Sequence, residues 1–198
     1  MYRIYHTEGI VLGSRATGEA SKIFSLFTKE LGVLSARAQS VRETRSKLRY
    51  SLQDYSFASF DIVRGKNGWR VTSATGEENL AVFSPEKRKE ALGVLKRVTT
   101  LLSRLSRGEE KDALLFDGLV SSFRALKSAA VSTSAIKDLE ALLVMRMLHR
   151  LGYWGEDSVL SPFLELSAIT EPHMFASFAP VRAHAIQRIN QSLKETQL

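Results

Sequence analysis

The sequence predicts an α+β protein, a small β-barrel followed by a mostly α-helical domain. Two observations predict it. The first 76 residues break into short apolar or alternating runs separated by glycine-containing turns. From Phe83-Ser84-Pro85-Glu86 onward, apolar residues recur at helical spacing instead. Strands followed by helices are the α+β pattern. At 198 residues the chain has room for one or two domains with a hydrophobic core. The expected division is 1–80 for the barrel and 81–198 for the helical domain.

The strands come in order. Gly9-Ile10-Val11-Leu12 begins an apolar run, punctuated by Gly13-Ser14 and Thr17-Gly18. Lys22 to Thr28 alternates, with Ile23, Ser25 and Phe27 on one side and Phe24 and Leu26 on the other. Lys29-Glu30-Leu31-Gly32 supplies a hairpin turn before a third strand from Val33 to Ala38. Leu52 to Val63 is rich in aromatic and β-branched residues, and Arg64-Gly65-Lys66-Asn67-Gly68 is a strong turn signal. Trp69-Arg70-Val71-Thr72 starts the last strand. Five strands in so short a stretch suggest a closed or nearly closed barrel, for which the OB-fold is the common Greek-key case.

The helices follow. Ser84 as N-cap, Pro85 at N1 and Glu86 in the first turn mark a start, and Leu92, Leu95, Val98, Leu102 and Leu105 keep helical spacing. A second helix is expected over Lys111 to Lys127, with Leu115, Leu119, Phe123 and Leu126 on one face. After a small-residue linker, Ser128 to Ser134, a third spans Ala135 to Leu151 with Leu139, Leu142, Leu143 and Met147 inward, closed by Gly152 as a C′ glycine. Ser158 to Ser177 has little periodicity. A last helix follows Pro180, with Val181, Ala185, Ile186, Ile189 and Leu193 on one face.

Composition excludes several classes. Hydrophobic residues at 44% and charged residues at 25% set aside collagenous, disordered and coiled-coil readings. No apolar run is long enough to cross a bilayer, and Met1 to His6 lacks the apolar stretch of a signal peptide. The absence of cysteine removes disulfides, thiolate catalysis and cysteine-bound zinc, and fits a cytoplasmic location.

Catalytic sets are missing. His6, His149, His173 and His184 stand at no metal-ligand spacing, and there is no GxSxG elbow, P-loop or strand-linked GxGxxG. The pairs Glu77-Glu78 and Glu109-Glu110 fall near element ends, where helix-end or solvent roles suffice. The protein is expected not to be an enzyme and to need no cofactor or metal.

Charge carries more information. The formal net charge is +7, and a positive field attracts polyanions. Between Arg37 and Arg70, eight basic residues (Arg37, Arg42, Arg45, Lys47, Arg49, Arg64, Lys66 and Arg70) face only Glu43, Asp54 and Asp61. Arg42, Arg45, Lys47 and Arg49 are interleaved with Ser40, Thr44, Ser46 and Ser51, a pattern that sets cations and hydroxyls along a phosphate backbone. Tyr50, Tyr55, Phe57, Phe60 and Trp69 lie close by, and single-strand binders pair a cationic groove with stacking aromatics. Most of these rings are expected to fill the barrel, with Tyr50 the best candidate for exposure. On residues alone, RNA, DNA and acidic peptides all remain possible ligands.

Several fragments in order, Thr7-Glu8-Gly9-Ile10-Val11-Leu12, Arg15, Gly18-Glu19, Leu26-Phe27-Thr28, Gly32, Arg42, Ser46-Lys47-Leu48, Leu52-Gln53, Arg64-Gly65-Lys66 and Trp69, resemble the opening of the RecO family of bacterial recombination mediators. Leu151-Gly152-Tyr153 resembles the family at a helix end. The resemblance implies an OB-fold and a helical domain. It also implies binding of single- and double-stranded DNA, strand annealing, and loading of recombinase onto SSB-coated DNA. Its implied partners are RecR and the acidic C-terminal tail of SSB. Many relatives carry a four-cysteine zinc site after the Leu-Gly-Tyr motif. Here Trp154 to Ser161 has no cysteine, so zinc is not expected.

An SSB tail ending in phenylalanine needs an apolar pocket and cations. The expected site is a groove in the helical domain with Lys96, Arg97, Arg124, Lys137, Arg146 and Arg150, beside Leu139, Leu142, Leu143 and Met147. The plainer alternative makes these cations the wet faces of amphipathic helices.

Overall fold

The computed structural model describes residues 3–43, 45–106, 108–128, 131–165 and 172–196. Of the features singled out above, Met1-Tyr2, Thr44, residues 129 and 130 of the linker, residues 166–171, and the side chains of Glu77 and His173 lie outside what is described. The chain divides into two compact units, Met1–Ala81 with Ser106–Phe116, and Val82–Leu105 with Asp117–Leu198. The segment 106–116, assigned from sequence to the helical part, thus lies with the barrel.

Five strands, β1 (Ile4–Thr17), β2 (Ser21–Thr28), β3 (Gly32–Ala38), β4 (Ser56–Gly65) and β5 (Gly68–Asn79), close into a barrel in the order β1-β2-β3-β5-β4. All neighbours are antiparallel except β3 and β5, the parallel pair that closes the Greek key. This is the OB-fold arrangement. Gly13 does not interrupt β1. The register slips between Val11 and Gly13, so the glycine marks a bulge that bends one long strand from β4 on one side to β2 on the other.

Alternation decides what is inside. Val11, Phe24, Leu26, Ala58, Phe60, Ile62 and Val71 form the barrel core. Their neighbours point outward, and cross-strand register sets Ile10 beside both Phe27 and Phe57 on the outer surface. That outer patch is covered by Phe116, whose ring lies 5.3 Å from Phe27 and 6.3 Å from Phe57. The same approach fixes Gly32, at φ +67°, because a Cβ there would stand 2.2 Å from the carbonyl oxygen of Glu110.

The fourth strand, expected from Leu52, starts only at Ser56, and a one-turn helix, α1 (Leu48–Ser51), precedes it. Apolar residues of this stretch plug the barrel, with Val41 and Leu52 in the core and Leu48 packed against it. Ser51 Oγ accepts the Gly76 N–H at 2.8 Å. Tyr55, at φ +65°, then turns the chain into β4.

The second unit is helical. Ser84-Pro85 opens a turn, and the regular helix α2 runs Arg88–Leu105. Helix α3 (Ala113–Lys127) starts at Asp112, whose carboxylate accepts the Leu115 N–H at 2.9 Å as an N-cap. Helix α4 (Ile136–Arg150) packs against α2 and against α6 (Arg182–Glu195), and is buried on nearly every side. It ends in a Schellman motif: the Gly152 N–H donates to His149 O and the Tyr153 N–H to Leu148 O, with Gly152 at φ +79°. A short helix, α5 (Pro172–Phe178), was not expected, since two turns are too few to show a period. Phe178 is buried there, its ring 5.3 Å from Phe163.

After the Leu-Gly-Tyr motif, ionic contacts tie the loop to α6. Asp157, with its side chain 8% exposed, accepts from His184 Nε2 at 2.8 Å and from the Val159 and Leu160 amides at 3.1 Å. Arg188 Nε lies 3.4 Å from the same carboxylate, an ion pair without hydrogen-bond geometry. Burial pushes the Asp157 carboxyl up, but His184 and the two amides outweigh it and hold it below the ordinary carboxylate range. A depressed carboxyl stabilises the fold above its unfolded-state value and loses that contribution as pH falls through the folded one. Asp157→Asn is therefore expected to cost about 2 kcal/mol at neutral pH. The gap from wild type should narrow as urea unfolding is repeated at pH values falling below the ordinary carboxylate range.

Candidate nucleic-acid interface

The eight cations predicted from the first half are all exposed, and strand register sorts them into two groups. Arg37 on β3 is paired across the parallel ladder with Arg70 on β5. Arg70 in turn faces Val63 on β4, and Arg64 faces Trp69 one step nearer the hairpin tip. The tip carries Lys66 between Gly65 and Gly68, and Gly68 at φ +95° takes the conformation the tight turn requires. Arg37, Lys66 and Arg70 line a trough of about 380 Å³ together with Val63 and Trp69.

The second group lies between β3 and β4. Arg42 and Arg45 lie in the loop, Lys47 precedes α1, and Arg49 sits on it. This loop is held to the β1–β2 turn, since Arg42 N–H donates to Ala20 O at 3.1 Å and its guanidinium reaches Gly18 O at 3.5 Å. Arg37 reaches the same end of the barrel, its guanidinium 3.4 Å from Ser21 Oγ. The cations thus flank strands β2 and β3, the β1–β2 turn and the β4–β5 hairpin, which are the positions an OB barrel uses for oligonucleotides.

Among the nearby aromatics, Phe57, Phe60 and Trp69 are buried and Tyr55 is half-buried. Tyr50 is 76% exposed, on α1 beside Arg49. Sequence reasoning left out Lys22, whose ammonium lies 3.5 Å from Ser14 Oγ, and gave Arg15 no role, although both sit on the strands leading to the β1–β2 turn. Their signal was strand position, not charge density. It also missed Glu109, which binds Arg64 and Trp69.

In the helical unit, Lys96, Arg97 and Lys137 border a groove of about 930 Å³ between α2, α4 and α6. Its apolar lining includes Val94, Leu101, Val144 and Ile186, and Lys89 and Arg104 add cations that the sequence reading had not assigned to it. Arg97 is engaged by Glu140 through two hydrogen bonds, which raise its pKa above the ordinary value. Arg124 and Arg150 are exposed but do not line this groove. Arg146 differs from the expectation: it is 2% exposed, and its Nε donates to Phe163 O at 2.8 Å. Burial lowers its pKa to about 10. Leu139, Leu142, Leu143 and Met147 are likewise core.

Among the described residues no group of three or more histidine, aspartate and glutamate side chains stands close enough to hold a metal ion, and no helix is long and apolar enough to cross a membrane.

Residues 1–79 match the family model described as Recombination protein O N terminal. The chain is 30% identical over 178 residues to a DNA repair protein RecO from Heliobacterium modesticaldum, covering 90% of this chain and 62% of that protein. It is 27% identical over 167 residues to the DNA repair protein RecO of Caldanaerobacter subterraneus subsp. tengcongensis, covering 81% and 67%. A third, from Dehalococcoides mccartyi, is 27% identical over 153 residues, covering 77% and 58%. The chain spans roughly three-fifths of the length of the curated relatives it matches.

Proposed function

On the match of residues 1–79 to the Recombination protein O N-terminal model and on the similarity to DNA repair proteins RecO, we propose that the chain is a RecO-type, non-catalytic mediator of recombinational DNA repair that binds DNA through its barrel. The observation that carries the reading is that Arg37, Lys66 and Arg70 line one trough, with Arg42, Arg45, Lys47 and Arg49 exposed on the loop and helix between β3 and β4. Cations in such positions grip phosphates rather than read bases, so affinity should be similar for all sequences. Strand annealing follows from the same chemistry. Neutralising the phosphates of two complementary strands removes the repulsion that keeps them apart, while the bases stay open for pairing. Tyr50, the exposed ring beside the cations, supports a single-strand component by stacking. Mixing two labelled complementary strands with the protein and following their joining by energy transfer tests the activity. A rate no faster than that of the strands alone would defeat the annealing reading.

The helical groove supports a partner role. An apolar trench bordered by lysines suits an acidic peptide ending in an aromatic residue, such as the tail of SSB, and a mediator held there would meet SSB-coated DNA and help load recombinase. RecR is the further partner under this reading. Lys96→Glu with Lys137→Glu is expected to weaken an acidic, phenylalanine-ending peptide about tenfold or more, read by fluorescence anisotropy. Unchanged affinity would move the peptide site elsewhere, and no binding by wild type would leave nucleic-acid binding through the barrel alone.

A further inference from the structure

Glu109 sets a carboxylate against two donors of the barrel. Its Oε1 accepts from Trp69 Nε1 at 2.7 Å and its Oε2 from Arg64 Nη1 at 3.3 Å. The Arg64 guanidinium also lies over the Trp69 ring, 5.3 Å from its centroid. One carboxylate therefore engages both an indole N–H and a guanidinium, and Trp69 is also among the residues lining the trough of Arg37, Lys66 and Arg70. The backbone on either side is unequal. After Glu109, the chain is pinned by the close approach of Glu110 to Gly32 and by the Lys111–Glu30 ion pair at 2.5 Å. Before it stands Gly108, at φ +97° with open space around it.

We infer that Arg64 and the Trp69 indole N–H form a phosphate site for a nucleic-acid strand, and that Glu109 fills this site as an internal anion until the strand displaces it. A phosphodiester oxygen accepts from the same two donors as a carboxylate oxygen does. The exchange keeps the Trp69 N–H satisfied, which matters because the ring is buried and a bare N–H there is costly. Arg64 then counts toward binding only after Glu109 leaves, so the contact restrains affinity. The inference rests on the reading that the barrel binds nucleic acid.

The test is a mutant cycle read by anisotropy of a labelled thymidine strand of about 30 nucleotides, titrated across a range of salt. Glu109→Gln removes the charge and keeps an oxygen for Trp69. It should tighten binding roughly three- to tenfold and steepen the log–log salt slope by about 0.7, the increment for one more phosphate on a single strand. Glu43→Gln, in the neighbouring basic loop, should tighten binding less and leave the slope unchanged. Arg64→Ala should do little in wild type and much more in the Glu109→Gln background. If Glu109→Gln tightens no more than Glu43→Gln, or Arg64→Ala costs the same in both backgrounds, the inference fails. A second measurement needs no change at Glu109: in a Trp154→Phe protein, adding the strand should shift Trp69 emission, and an unshifted spectrum at saturation also overturns the site. If wild type binds no strand, the barrel reading falls. If it binds and Arg42, Arg45 and Lys47 matter while the cycle is additive, only this inference falls.

Discussion

Reversing Arg42, Arg45 and Lys47 to glutamate is expected to weaken single-strand binding by roughly a hundred- to a thousandfold at low salt. All three are exposed in the loop that β3 feeds into α1, and none carries core packing. The fold should survive, because the apolar residues of this stretch, Val41, Leu48 and Leu52, are untouched. Each lost phosphate contact flattens the log–log salt slope of a single strand by about 0.7, so three lost contacts flatten it by about 2. Introduced carboxylates add repulsion, which makes reversal stronger than neutralisation. The loss should be similar for unrelated strand sequences, since these side chains contact backbone and not base edges. Unchanged DNA affinity, with an unchanged urea midpoint, would remove this loop from the interface.

Arg146→Ala is expected to destabilise the protein by about 3 kcal/mol, without any partner present. The guanidinium is buried, and its lowered pKa records the cost of holding a cation away from water. Truncation leaves a cavity between α4 and the 161–165 segment and strips the Phe163 carbonyl of its Nε donor. Arg146→Met fills more of the same volume and gives up the charge that burial penalises, so it should cost well under half as much. Chemical denaturation of both variants gives the comparison directly. Equal losses would mean that the hydrogen bond, not the volume, dominates.

Arg146 also shows where sequence reading reaches its limit. On α4, positions 141–148 are all buried, so over those two turns the helix has no wet face on which an arginine would sit. Helical periodicity assumes one dry stripe and one wet one, and it assigns any cation to the wet side. Leu139, Leu142, Leu143 and Met147 were legible as inward, since apolar residues need no further context. The barrel was legible for a related reason. Its strands alternate cleanly, and its turns carry Gly32 and Gly68, where positive φ leaves glycine as the natural residue. Helix α1 was not legible, because a single turn is too short to show a period, and Leu52 just after it is buried in the barrel and imitates the start of a strand. The eight cations were found by density alone. Their sorting into a trough and a loop depends on the parallel β3–β5 pairing, which no local pattern encodes. Glu109 lies 40 residues from Trp69 and its pairing was beyond reach for the same reason.

The most direct test of the central claim is a fluorescence titration of a labelled single strand with the wild-type protein at several salt concentrations. A barrel that grips several phosphates should bind tightly at low salt, with log affinity falling linearly against log salt at a slope between about −3 and −6. Binding that fails at low salt, or a slope near zero, would contradict the account.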